Sequence, residues 1–281
     1  MTEVTAHSGL LSNTNVHVED TGGSGRPVVL IHGWPLSGAS WSGQIPALSA
    51  AGYRVLAYDR RGFGQSDKPK RGYDYDSLAD DLDGILKELD LSDVTLVGFS
   101  MGGGEVARYI TRHGEERLRS VVFAAAVPPY LLKTEDNPDG PLTEQQAAAM
   151  ASDLTDDRDA FFDAFTTQFF SVDGHLTVRE EDRQEAIVLC RQADQHAALA
   201  CLESFGTTDF REDLAGITVP TLVLHGDGDA TVPFDGSGKR THELVQGSQL
   251  VVLHDAPHGC NVSHRDEFNR ALLTFLSGSG Q

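Results

Sequence analysis

Three residues far apart in the chain have the types needed for nucleophilic acyl transfer. Ser100 sits in Gly98-Phe99-Ser100-Met101-Gly102, directly after the apolar run Val94-Thr95-Leu96-Val97 and before a helical pattern. A serine held in a sharp strand-to-helix turn needs small neighbours, because the strained backbone draws chain segments close together. Serine is a weak nucleophile at neutral pH, so a base must take its proton and an acid must hold that base in one tautomer. The order expected with such a turn is serine, then acid, then histidine, the last two on loops after late strands. Asp229 in His225-Gly226-Asp227-Gly228-Asp229 and His258 in Asp255-Ala256-Pro257-His258-Gly259 fit that order. Asp227 competes for the acid role, but an Asp so close to a strand end more often caps the turn through its own backbone. His254 ends a strand and His264 opens the last helix, leaving His258 as the histidine in a Pro/Gly loop. His32 reads as a structural histidine.

An acyl-transfer site also needs N–H donors for the tetrahedral oxyanion, each worth about 10²–10³ in rate. The N–H of Met101 is one candidate, and the N–H of Trp34 in His32-Gly33-Trp34-Pro35 is assigned as the second. Trp34, Pro35, Phe99, Phe162, Phe165 and Thr231 are candidates for the substrate pocket. Phe161, Phe162, Phe165, Phe169 and Phe170 form a helical stripe that either makes a small core of its own or lines a pocket above Ser100. Gly102-Gly103-Gly104-Glu105-Val106-Ala107 matches a dinucleotide fingerprint on paper. It begins four residues past the strand end, so close helix–sheet packing is the better reading. No HExxH or paired Cys/His spacing points to a metal site, and no cofactor is expected.

The elements that must position these residues follow from periodicity. Short apolar runs at Val28–Ile31, Arg54–Tyr58, Val94–Gly98, Ser120–Ala126, Thr221–His225 and Gln249–His254 suit buried parallel strands, and Asn15–Asp20 alternates as an exposed strand. Helical stripes lie between them, as at Asp76–Leu89 and Phe268–Leu276. This alternation predicts an α/β doubly wound, mostly parallel sheet. Between Val127 and Thr221 the chain is helical with no convincing strand, longer than an ordinary crossover needs. The reading is a core of residues 1–127 and 215–281 with a helical cap insertion at 128–214.

Composition limits the partners. The chain has 281 residues, 22 Lys and Arg against 42 Asp and Glu, and a net charge of −20, which disfavours nucleic acid and anionic membranes. Residues 129–219 hold six Lys and Arg against nineteen Asp and Glu, so the excess lies mainly on the expected cap. If it faces the entrance, its field disfavours anionic substrates. No apolar stretch is long enough for a membrane span, no export signal is read at the N-terminus, and three cysteines without CxxC spacing fit the reducing cytoplasm.

With the serine turn, the His-Gly-Trp-Pro loop, the turn Asp59-Arg60-Arg61-Gly62-Phe63-Gly64-Gln65-Ser66, the His-Gly-Asp-Gly-Asp segment and the Ala-Pro-His-Gly loop in place, the sequence resembles the α/β-hydrolase superfamily. More narrowly, Gly98–Val106 and Phe205-Gly206-Thr207-Thr208-Asp209-Phe210 look like the cofactor-free bacterial haloperoxidases, or perhydrolases, and related aryl esterases. The resemblance implies a Ser100/Asp229/His258 enzyme forming an acyl-serine from a small ester or carboxylic acid. Water releases the acid; hydrogen peroxide releases a peracid that oxidises bromide or chloride in solution, so the halide acts indirectly. It also implies a homo-oligomer, often a trimer. A lactone or cyclic-amide hydrolase, or a catalytically slow receptor on the same fold, are the alternatives. Pro35 should hold Trp34 extended, placing a loop carbonyl to accept a hydrogen bond from peroxide. Cys260 stands where relatives are expected to carry an aromatic residue, as a core side chain or as a thiol open to oxidation.

Overall fold

The computed structural model describes residues 2–8 and 12–278. Strands β1 (Thr2–Ser8) and β2 (Ser12–Asp20) form an antiparallel pair, followed by β3 (Pro27–Ile31), helix α1 (Ile45–Ala50), β4 (Arg54–Tyr58) and α2 (Tyr75–Glu88). Next come β5 (Val94–Phe99), α3 (Met101–His113) and β6 (Leu118–Ala124). The sheet order is β1-β2-β4-β3-β5-β6, completed by β9 (Thr221–Gly226) and β10 (Gln249–Leu253). From β4 onward in that order every pairing is parallel, while β2 meets β4 antiparallel. Central strands β5 and β9 are buried at every residue, as near-continuous apolar runs covered on both faces require.

Two expectations change. The alternating segment is longer than read, reaching back to Ser12, and β1 beside it went unread. The run at 249–253 is an edge strand with β9 as its one neighbour, so Val252 is 41% exposed.

Between β6 and β9 lie α4 (Glu144–Asp156), α5 (Arg158–Phe169), α6 (Glu180–Gln192), α7 (Gln195–Thr207) and the short α8 (Arg211–Ala215). A small antiparallel hairpin, β7 (Ser171–Val172) and β8 (His175–Leu176), interrupts the helices where none was expected. Local sequence fixes the helix starts. Thr143 and Gln146 form a capping box on α4, and the Asp157 and Asp194 side chains accept from the third N–H of α5 and α7. After β9 come α9 (Gly238–Leu244), α10 (Cys260–Ser263) and α11 (Arg265–Gly278). No helix among the described residues is long and apolar enough to cross a membrane.

Candidate active site

The serine turn is strained in the way its sequence requires. Ser100 has φ 54° and ψ −120°, a conformation that L residues rarely adopt. Its N–H donates to Ala124 O at 2.9 Å, and its carbonyl accepts from Gly103 N at 3.0 Å and Val127 N at 3.1 Å. Close approach explains the flanking glycines. A Cβ at Gly98 would lie 2.5 Å from Gly102 O, and one at Gly102 would lie 2.6 Å from Ile31 O. The glycine run is therefore helix–sheet packing behind Ser100, as expected.

The side chains of the β9 and β10 loops meet at this turn. Ser100 Oγ lies 2.9 Å from His258 Nε2, and His258 Nδ1 lies 2.6 Å from Asp229 Oδ2. The other carboxylate oxygen accepts from Thr231 N at 2.9 Å and Val232 N at 2.7 Å. Burial pushes the Asp229 carboxyl up, but the His258 charge and the donors His225 and His258 outweigh it and hold the group at about 2. Asp227 instead spends its carboxylate on His254 Nδ1 at 2.8 Å and Asp255 N at 2.7 Å, outside the cavity. Ligand-type atoms of Asp227, His254 and Asp255 lie within 4.8 Å of one another, and the two bonds to Asp227 together with a 3.5 Å contact between His254 Nε2 and Asp255 Oδ2 account for the cluster.

Trp34 and Met101 flank the serine from β3 and from the first residue of α3. No described hydrogen bond uses either backbone N–H, which leaves both available as donors to a ligand. The Trp34–Pro35 bond is cis. His32, fully buried, stands behind this loop. Arg60 N–H donates to its Nε2 at 2.9 Å, so Nδ1 carries the proton and donates to Gly33 O at 2.8 Å. That carbonyl belongs to the same peptide group as the Trp34 N–H. Burial, and then the Arg60 charge, hold His32 well below the usual histidine range, so it is neutral. Arg60 is in turn paired with buried Glu105 of α3, which accepts from Tyr58 Oη at 2.6 Å.

Above Ser100 and His258 lies a cavity of about 440 Å³. Trp34, Phe161, Phe165 and Phe205 give it an aromatic wall, with Trp34 edge-on to each of the three phenylalanines. Thr231 lines it, and its Oγ1 is buried without a described partner. Asp153 is the one carboxylate among the lining residues.

Three pocket candidates fall elsewhere. Phe99 packs beneath the site between Trp41, Phe169 and His258, because it ends a strand buried on both faces. Phe162 is fully buried within the insertion with Arg158 over its ring at 4.9 Å; one residue along the helix turns it away from the wall that Phe161 and Phe165 share. Pro35 is buried outside the cavity, whose wall here is the Trp34 indole, pinned through Nε1 to Ala198 O at 2.9 Å. The phenylalanine stripe is thus split between pocket and core.

The acidic excess also divides. Asp163 and Glu180 pair with Arg183, Asp182 with Arg179, Asp159 with Arg191, and Asp136 and Asp209 with Arg211. Cys260 is a buried core residue, and burial followed by the Asp229 charge pushes its thiol well up, which keeps it protonated and unreactive.

One residue at the site gave no signal in the sequence. His225, within β9, places Nε2 2.9 Å from Val232 O and 3.2 Å from Asp229 Oδ2. It ends an apolar run with no turn residue before it, so it reads as a strand residue, and the one available clue is its four-residue offset from Asp229.

Comparison with known proteins gives the family. Residues 26–264 match the family model of the alpha/beta hydrolase fold. A non-heme chloroperoxidase of Kitasatospora aureofaciens is 42% identical over 258 residues, 91% of this chain and 94% of that one. A bifunctional esterase/perhydrolase of Acinetobacter calcoaceticus is 36% identical over 93% of this chain and 96% of its own. Among solved structures, a bromoperoxidase from Bacillus anthracis superposes with a TM-score of 0.94 at 49% identity, covering 98% of this chain and 99% of that one. By sequence and by fold, the chain belongs to the α/β-hydrolase family and, within it, to the group of non-heme haloperoxidases and esterases.

Proposed function

We propose that this chain is a serine hydrolase of the cofactor-free haloperoxidase type, acting on small neutral esters and carboxylic acids. The observation that carries the reading is the continuous relay Ser100–His258–Asp229, opening on an apolar cavity. Ser100 Oγ gives its proton to His258 Nε2 and attacks the acyl carbon, while the Trp34 and Met101 N–H groups receive the oxyanion. His258 then protonates the leaving group, which departs as an alcohol from an ester or as water from a carboxylic acid. Water or hydrogen peroxide next gives a proton to His258 and attacks the acyl-serine, and Ser100 leaves with its proton restored. The product is an acid from water or a peracid from peroxide. A peracid and a bromide ion react in solution to give a carboxylate and hypobromous acid, so no halide site is required.

The division into a core of 1–127 and 215–281 and a cap of 128–214 belongs to this reading, the cap contributing Phe161, Phe165 and Phe205 to the pocket. A homo-oligomer is proposed from the resemblance, with the groove around exposed Val188 and Val262 as a surface to cover; sedimentation velocity reads the state. Loop geometry at Pro35 is proposed to favour peroxide over water. Pro35→Leu should lower peracid formation relative to hydrolysis, and an unchanged ratio would refute that point.

The decisive experiment is Ser100→Ala. Ester hydrolysis and bromination should both vanish while the melting curve stays that of a folded protein. Survival of either activity overturns the mechanism.

A further inference from the structure

His225 places a polar ring in the core, where a hydrocarbon would leave no bare nitrogen. The ring is fully buried. Its Nε2 faces two acceptors, Val232 O and Asp229 Oδ2, so that nitrogen carries the hydrogen. Nδ1 is then a bare lone pair, and it has no partner among the described residues. Gly238 seals that edge, since a Cβ there would lie 2.5 Å from Nδ1. A buried, unpaired ring nitrogen costs free energy that leucine or phenylalanine would not. What distinguishes the imidazole from those residues is the single bonded edge, and that edge serves both Val232 O and the carboxylate.

The carboxylate is saturated as a result. Oδ1 accepts from two backbone N–H groups, and Oδ2 is shared between His258 Nδ1 at 2.6 Å and His225 Nε2 at 3.2 Å. Each additional donor on an oxygen draws charge from it and weakens its pull on the next. We propose that His225 is a positioning residue that shares Asp229 Oδ2 with His258, both aiming the carboxylate and limiting how strongly it supports positive charge on the catalytic base. The proposal rests on Asp229 and His258 acting as read above. The titratable groups in contact with the His258 ring are Asp229 from the loop after β9 and Ser100 from the serine turn, with the rings of Phe99 and Phe169 beside it, while His225 and the protonated thiol of Cys260 from α10 lie near Asp229. Around His225 itself, Phe234 and Gly238 supply no charge.

Removing the shared donor should leave Oδ2 to His258 alone, stabilising the imidazolium and moving the acid limb of the activity profile to higher pH. The test is the pH dependence of kcat/KM for p-nitrophenyl acetate in His225→Leu, His225→Phe and His225→Gln, with melting curves for each. The two apolar variants should move the acid-limb midpoint up by about one pH unit. The glutamine variant, whose amide can stand in for the Nε2–H, should stay near the wild-type midpoint. The low-field proton resonance of the His258–Asp229 bond should move further downfield in the apolar variants alone. Folded apolar variants with an unmoved profile would overturn the proposal, as would a glutamine variant shifted as far as they are. Failure of both apolar variants to fold would also overturn it, by making the ring a requirement of the fold. Ser100→Ala separates the two levels: if it keeps activity, the underlying reading fails, and if it is dead while the His225 profiles coincide, only this inference fails.

Discussion

His32 and His225 are both fully buried imidazoles one step behind the active site, yet they are equipped differently. His32 uses both nitrogens: it accepts from Arg60 N–H and donates to the carbonyl of the peptide group that carries the Trp34 N–H. It is embedded in a network in which Arg60, Glu105 and Tyr58 satisfy one another, tying the β3 loop to β4 and α3. His225 uses one nitrogen and leaves the other bare. The first ring orients backbone, where completeness brings rigidity. The second, on the proposed relay, meets the carboxylate whose charge would support the base, and it leaves Nδ1 without a partner among the described residues.

That contrast can be broken at its strongest point first. Glu105→Leu strands the Arg60 guanidinium in the core and should cost about 3–5 kcal/mol of unfolding free energy in urea titration, much of it recovered by adding Arg60→Met. His32→Leu should cost less, about 1–3 kcal/mol, for the unpaired Arg60 N–H it leaves. Its sharper effect should be on kcat, with KM nearly unchanged, because the donor it disturbs acts on the transition state. A parallel rise in KM would mean that the ring shapes the pocket instead. Asp153→Asn should narrow the preference for a neutral ester over a carboxylate-bearing one by only about two- to five-fold, and added salt should erase the difference.

The smallest effect is expected at Asp227, the acid not chosen for the relay. His254 is raised above its ordinary value of 6.5 by the hydrogen bond it donates to Asp227, so its contribution to stability is complete below that value and lost as pH rises through the raised one. Asp227 is lowered from 3.8 by the same bond, so its contribution is present above 3.8 and lost as pH falls further. The ion pair therefore acts fully only between those two ordinary values. Asp227→Asn should lower the melting temperature slightly at pH 5 and by less at pH 9, where only the bond to Asp255 N remains at stake. Asp229, held at about 2, stays ionised across this range, so activity lost in mildly acid solution would not report protonation of that carboxylate.

Punctuation made the relay legible. Ser100, Asp229 and His258 each sit beside glycines or prolines after an apolar run, and a parallel sheet brings the ends of such runs to one edge. Pocket residues were harder because the decision is angular. Phe161, Phe162 and Phe165 share one helix, and which of them meets Trp34 depends on how α5 is rotated against the β3 loop, a tertiary fact. Pro35 and Phe99 were misplaced because sequence proximity to Trp34 and Ser100 does not say which face of the chain a neighbour occupies. His225 was invisible because a histidine ending an apolar run reads as strand. The β7–β8 hairpin was missed because its strands are two residues each.

Phe169, the last residue of α5, stands edge-on to His258 at 5.0 Å, and its carbonyl accepts from Gly259 N at 2.8 Å. The helical insertion is thus stapled to the residue after the histidine. For anyone building chimeras, an exchange of the whole segment proposed as the cap, 128–214, would carry with it the ring against His258. A graft that keeps the host's Phe169 and Phe170 and exchanges the pocket-lining faces of α4 and α5 should change the cavity wall while leaving the ring against His258 in place.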